Sequence, residues 1–260
     1  MGLCPKIETR PLPKMGLAFA VEHGTMMMSM LISFSTHQRI PNEKTMTEIL
    51  VLSTLHQLHG QLDYYTYDHL SHIITSFAPE VLAVELTPDD LHARKPQRVK
   101  QEYQQSVYPL LDALGCETIP LEPAEPLYSE LVGLGKKAME DLQKRNPAAV
   151  EQFGLYVNAL YDVLFNWWRS PLDVNSSETD RHFEIKHRYQ NEVFGEDEEK
   201  GWELWNQHFL EQILAAAAKY PEGRILVLVG AEHSYWLRKH LREQPAVRLL
   251  AAEEALSSIG

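Results

Sequence analysis

The chain has 260 residues, 44% of them hydrophobic and 23% charged, with a formal charge of −12 at pH 7. That length bounds one substantial α/β domain or a core with an inserted subdomain. The charge argues against a nucleic-acid partner and suits an anionic membrane surface poorly. The two cysteines, Cys4 and Cys116, form no Cys-x-x-Cys pair and no disulfide framework, and no apolar run reaches the ~18–20 residues of a membrane span.

In chain order, residues 1–45 differ from the rest, with three prolines in the first thirteen positions and a run of methionines. The stretch "MMMSMLISF" has the length of a signal-peptide apolar region, but Glu22 and His23 lie upstream and no A-x-A site follows. A poorly ordered extension and a cytoplasmic location are expected, with secretion as the alternative. From Met46, "EILVLS" (48–53), "VLAVEL" (81–86), "ETIPL" (117–121), "RILVLVG" (224–230) and "VRLLA" (247–251) read as strands, most of them continuous apolar runs. Helices are expected over 63–78, 97–114 with Gly115 as C-cap, 148–169, 202–220 and 234–244. Residues 125–200 show helical patterns and no strand, which predicts a helical insertion over the sheet, a lid or a homodimer surface; "GEDEEKG" (195–201) reads as a solvated loop. Alternating strands and helices call for an α/β fold with a mainly parallel sheet.

Ligands bind outside the carboxyl ends of parallel strands. His56 and His59 follow the first strand, Glu85 ends the second, Glu122 follows the third, and Glu232 and His233 follow the fourth. "STLH" and "GAEH" share one context, a small residue directly after a buried strand and a histidine three places on. A carboxylate at the end of an apolar strand needs a partner or a role, which singles out Glu85. His56, Glu85 and His233 make a three-ligand set for a divalent transition metal (manganese, cobalt or zinc) with a position left for water. The aromatic helix, with Phe153, Tyr156, Trp167 and Trp168, offers either an apolar cleft or plain packing, and His59 either supports the site or belongs to a loop.

Together, "VLSTLHQLH", "FAPEVLAVELTPDDLHAR" and "ILVLVGAEHSYWLRKHL" resemble the signatures of the TraB/TIKI-like superfamily, a group similar to the ChaN-like haem-binding proteins and the erythromycin esterases. The resemblance covers residues 46–122 and 203–250. It implies that His56 and His233 are the histidines of two G-x-x-H motifs, that Glu85 is the acidic residue, and that Arg94 and Asn206 are supporting residues. Ser53 stands where the first motif has Gly, and Trp205 where an Arg-Asn pair has Arg. The implied activity is a metal-dependent hydrolase of a peptide or ester bond, with manganese or cobalt. Two alternatives are a metal-independent esterase and a protein that binds haem or another apolar ligand, for which Tyr64, Tyr65 and Tyr67 are axial candidates.

Overall fold

The computed structural model describes residues 46–256; the expectations for residues 1–45 lie outside the described residues. All five expected strands form: β1 (Thr47–Thr54), β2 (Val81–Val84), β3 (Glu117–Pro120), β4 (Arg224–Gly230) and β5 (Val247–Leu249). They make one parallel sheet in the order β3-β2-β4-β1-β5. β1 and β4 lie at its centre, paired from Glu48–Arg224 to Thr54–Gly230. Both are buried on both faces, which is why their sequences are unbroken apolar runs rather than alternating ones.

The helices are α1 (Tyr67–Phe77), α2 (Pro88–His92), α3 (Tyr108–Leu114), α4 (Leu127–Arg145), α5 (Pro147–Trp167), α6 (Pro171–Val174), α7 (Ser177–Phe194), α8 (Glu196–Lys219), α9 (Ala231–Arg242) and α10 (Ala252–Leu256). On one face of the sheet Leu50, Leu52, Leu226 and Leu228 pack with Leu70, Ile73 and Ile74 of α1. On the other, Ile49, Val51, Val227 and Val229 pack with Phe209 and Ile213 of α8 and Leu237 and Leu241 of α9. The chain therefore leaves the neighbouring strands β1 and β4 toward opposite faces. That arrangement opens a crevice between their carboxyl ends, the place where open parallel sheets bind ligands.

The helical insertion is present as α4 to α7, with no strand among residues 125–200. Three expectations are corrected. "GEDEEKG" is not a solvated loop: it opens α8, where Glu196, Asp197, Glu198 and Glu199 complement the positive end of the helix dipole, and Glu198 and Gly201 are buried. The helix expected over 97–114 is irregular up to Gln101, runs through a π turn (Tyr103–Val107), and becomes α-helical only at Tyr108. The residues 63–66 precede α1 instead of opening it, because the Thr66 side chain caps the helix there. Gly115 caps α3 as expected, with φ 64°.

One buried side chain ties the insertion to the sheet. The Arg238 guanidinium on α9 donates to Asp180 Oδ1 on α7 (2.6 Å), to the Val51 carbonyl of β1 (2.8 Å) and to Asn175 Oδ1 (2.8 Å). Replacing it by methionine keeps the stem but leaves the Asp180 carboxylate mostly buried and unpaired. The expected cost is about 3–5 kcal/mol, the usual result of removing one partner of a buried pair. Urea denaturation measures it; a loss below about 1 kcal/mol would show that Asp180 is adequately solvated without Arg238.

Candidate functional site

The site is built around a carboxylate that the fold has removed from water. Glu85, 4% exposed, directly follows β2, where that strand parts from β4. Its backbone N–H donates to the Tyr103 hydroxyl (2.8 Å), which in turn reaches the Leu228 carbonyl of β4 (3.4 Å). Tyr103 thus bridges the ladder where it opens. The Glu85 side chain turns into the gap: Oε2 accepts the Gly230 N–H at the end of β4 (2.6 Å), and Oε1 faces the Lys100 ammonium at 3.0 Å. Burial opposes its charge, but Lys100, then His233, His56 and the Gly230 N–H, hold the carboxyl well below its usual range.

Lys100 also donates to the Glu85 carbonyl (2.9 Å) and to Glu122 Oε1 (2.6 Å), so each of its three N–H groups has an oxygen. Burial would lower its pKa; Glu85 and Glu122 outweigh that and keep it charged. Glu122 itself is raised above its ordinary value, by burial first.

His56 opens a 3-10 turn (His56–Gln61) immediately after β1, with φ 52°. A non-glycine residue in that region stores backbone strain of roughly 1–3 kcal/mol. Two contacts hold it. His59, buried just below, donates from Nδ1 to the Tyr65 carbonyl (2.8 Å) and accepts the Leu55 N–H at Nε2 (2.9 Å), fixing the turn. The fully buried Glu102 accepts from His56 Nδ1 (2.8 Å) and from the Thr54 hydroxyl (2.9 Å). Burial pushes the His56 imidazole down, but the Glu102 carboxylate, with Glu85 beyond it, prevails and sets it above its ordinary value.

His233 lies in the first turn of α9, which begins directly at the end of β4. Its Nδ1 donates to the side-chain oxygen of the fully buried Asn206 (2.9 Å), whose amide nitrogen donates to the Trp202 carbonyl (2.8 Å). That second bond sets which end of the amide faces the imidazole. The Nε2 lone pair is left facing Glu85 Oε1 at 4.0 Å. Trp202 stacks on the ring, with centroids 4.6 Å apart, and burial carries the His233 pKa down to about 4 despite the nearby Glu85 charge.

His56, Glu85, Lys100, Glu122, Gly230 and His233 line one cavity of about 290 Å³, with Leu55, Leu58, Val99, Tyr128, Tyr161 and Trp205 as its apolar and aromatic walls. Five of the residues expected from the sequence, His56, Glu85, Glu122, Glu232 and His233, therefore meet there. Asn206 and His59 stand behind the two imidazoles. Glu232 also lines the cavity, held by the Tyr161 hydroxyl (2.8 Å) and Lys186 (2.8 Å). Arg94 does not join the site; it pairs with Asp112 on the surface. Phe153, Tyr156, Trp167 and Trp168 line none of the cavity: Phe153 packs on Phe194, and Trp168 is fully buried with its Nε1 on Thr179. Tyr161 is the contribution of α5. The sequence does not single out Lys100 and Glu102, which fall within the helix expected over 97–114.

Both imidazoles direct Nε2 into the cavity with Nδ1 anchored, as the outer partners of metal-ligating histidines do. Glu85 does not complete the set, since one oxygen faces an ammonium and the other takes a backbone N–H. Among the described residues, no group of three or more His, Cys, Asp or Glu is placed to hold a metal ion. Tyr64, Tyr65 and Tyr67 do not line the cavity. The chain matches no family model, no curated protein and no solved structure.

Gly230 is where the site is tightest: a Cβ there would stand 2.8 Å from His56 Nε2 and 3.4 Å from Glu85 Oε2. Gly230→Ala should therefore displace the imidazole and destabilise the chain by about 1–3 kcal/mol, an overpacking cost. Gly154→Ala in α5 meets nothing within 4 Å and should stabilise by about 0.4–1 kcal/mol. Paired urea melts check both signs; a neutral Gly230→Ala would mean that His56 has another resting place.

Proposed function

We propose that the cavity hydrolyses a carboxylic ester of a small, mainly apolar molecule by acid–base catalysis between two imidazoles held in different protonation states. The observation that carries this reading is that two imidazoles line one cavity, one anchored at Nδ1 on the buried Glu102 carboxylate and the other on the Asn206 amide oxygen, which drives their protonation in opposite directions. Pairs of titratable groups driven apart by their surroundings mark acid and base. The resemblance to the TraB/TIKI-like superfamily carried by His56, Glu85 and His233, a group similar to the erythromycin esterases, supports it. The cavity volume suits a small molecule better than an extended peptide.

At neutral pH His233 is uncharged, its proton on Nδ1 and its lone pair on Nε2. Nε2 takes a proton from water as the water oxygen adds to the ester carbonyl carbon. Negative charge gathers on the former carbonyl oxygen, close to the first turn of α9, whose N–H groups lack intrahelical acceptors. Protonated His56, backed by Glu102, gives its Nε2 proton to the departing alkoxide as the carbon–oxygen bond breaks. Acid and alcohol leave, and the proton held by His233 returns through solvent to His56. Glu85 stays ionised and orders Gly230, Lys100 and both rings around itself.

The pH dependence follows in sign. Activity needs His233 neutral, so it falls as pH drops through about 4. It also needs His56 protonated, so it falls as pH rises past a value above the ordinary 6.5. The test is a panel of p-nitrophenyl and naphthyl esters of short acyl chains, run from pH 3 to 9 with and without chelator. Expected are turnover with a bell-shaped profile, no effect of chelator, and a loss of about 100-fold or more in either His56→Ala or His233→Ala. In Glu102→Gln the alkaline limb should move to lower pH. A folded chain that turns over no ester, or one whose rate the chelator abolishes, would refute the proposal.

A further inference from the structure

We infer that the cavity takes a ligand with a protonated alkylamine, whose ammonium group is held by Glu122 beside the rings of Tyr128 and Trp205. The inference rests on the ester reading and names its substrate class, an ester that carries a cationic amine on a short chain.

Three carboxylates, Glu85, Glu122 and Glu232, line the cavity against one ammonium, Lys100. Two of the three are fully partnered. Glu85 Oε2 accepts the Gly230 N–H, and Oε1 faces Lys100. Glu232 Oε1 accepts from the Tyr161 hydroxyl (2.8 Å), and Oε2 from the buried Lys186 (2.8 Å). Glu122 differs. Its Oε1 accepts from Lys100 (2.6 Å), whose charge is already shared with Glu85, and among the described residues no donor reaches Oε2. The side chain is only 8% exposed and forms part of the cavity wall, so that oxygen has little water and no partner. A buried carboxylate in this state is short of one positive charge. The shortfall shows in its protonation: burial first, then the charges of Glu85 and Asp90, raise the Glu122 pKa against the pull of Lys100.

Tyr128 in the first turn of α4 and Trp205 on α8 share this wall, with ring centroids 5.5 Å apart and planes at 59°. Tyr128 lies within the field of Glu122, whose charge adds to burial in raising the phenol pKa. An alkylammonium suits this setting: an N–H goes to Oε2, and the charged head and its carbons lie against the rings. Such a cation needs one carboxylate, whereas a metal ion needs several donors, and among the described residues no group of three or more His, Cys, Asp or Glu is placed for one. With the amine bound, charges alternate from Glu85 through Lys100 and Glu122 to the ligand. Glu85 Oε1 also faces His233 Nε2 at 4.0 Å, so an amine at Glu122 and a carbonyl at His233 belong to one small molecule.

The experiment is calorimetric titration of the full chain with butylammonium chloride and, separately, with uncharged butanol. Expected is one equivalent of butylammonium bound about ten-fold or more tighter than butanol. Glu122→Gln keeps an oxygen for Lys100 and should weaken butylammonium about ten-fold while leaving butanol unchanged. Tyr128→Leu should weaken butylammonium about five-fold. Equal affinity for the two probes, no binding of butylammonium, or a folded Glu122→Gln that binds it as the unmodified chain does would overturn the inference. If Glu122→Gln does not fold, undiminished binding by Tyr128→Leu overturns it. Naphthyl esters with and without a terminal amine on the acyl chain separate the two readings. Selective butylammonium binding with turnover of neither ester refutes the ester reading alone; turnover without preference for the amine refutes this inference alone.

Discussion

The buried Glu85 carboxylate is the constraint around which the rest of the site is arranged. Moving such a group out of water costs several kcal/mol even after relaxation, and the cost is met only if every oxygen finds a donor or a cation. Gly230 supplies an N–H at the end of β4, and Lys100 supplies the charge. Lys100 in turn requires residues 95–101 to run irregularly across the strand ends rather than as helix. The π turn that follows places Tyr103 between β2 and β4 and, one residue earlier, Glu102 beneath His56. A single desolvated charge therefore accounts for a glycine, a lysine, a break in helical structure and a buried tyrosine.

The sheet topology then makes two imidazoles unequal. β1 and β4 are paired neighbours whose chains leave toward opposite faces, so His56 and His233 approach one cavity from different surroundings. His56 leans on a carboxylate and gains basicity. His233 leans on an amide oxygen, under the indole of Trp202, and loses it. The same residue type yields an acid and a base because the anchoring group behind each ring differs in charge.

Much of this was legible in the sequence. Buried parallel strands must be continuous apolar runs, so β1, β2 and β4 stood out, and the residues following them were the natural candidates. His56, Glu85 and His233 were found on that ground, and Asn206 through resemblance. Lys100 and Glu102 were not. In the regular helix expected over 97–114, two positions two apart point about 200° away from each other, so both would not be expected at one site. Only the irregular backbone before Tyr103 brings them to the same site. His59 was ambiguous because a buried histidine that fixes a turn has the same sequence context as a ligand. Arg94 matched a motif by position, yet its turn, with φ 46°, lies at the surface. "GEDEEKG" misled because an acidic run opening a helix and one in a loop share a composition.

The central claim is the division of labour between the two histidines, and it can be read without any substrate. Nitrogen-15 chemical shifts of the imidazoles, followed from pH 3 to 9 in the unmodified chain, report protonation and tautomer ring by ring. The account predicts that His233 keeps the neutral Nδ1–H form until the pH falls to about 4, while His56 takes up its proton above 6.5. Two histidines titrating together near the ordinary value, or a neutral His233 with its proton on Nε2, would contradict it.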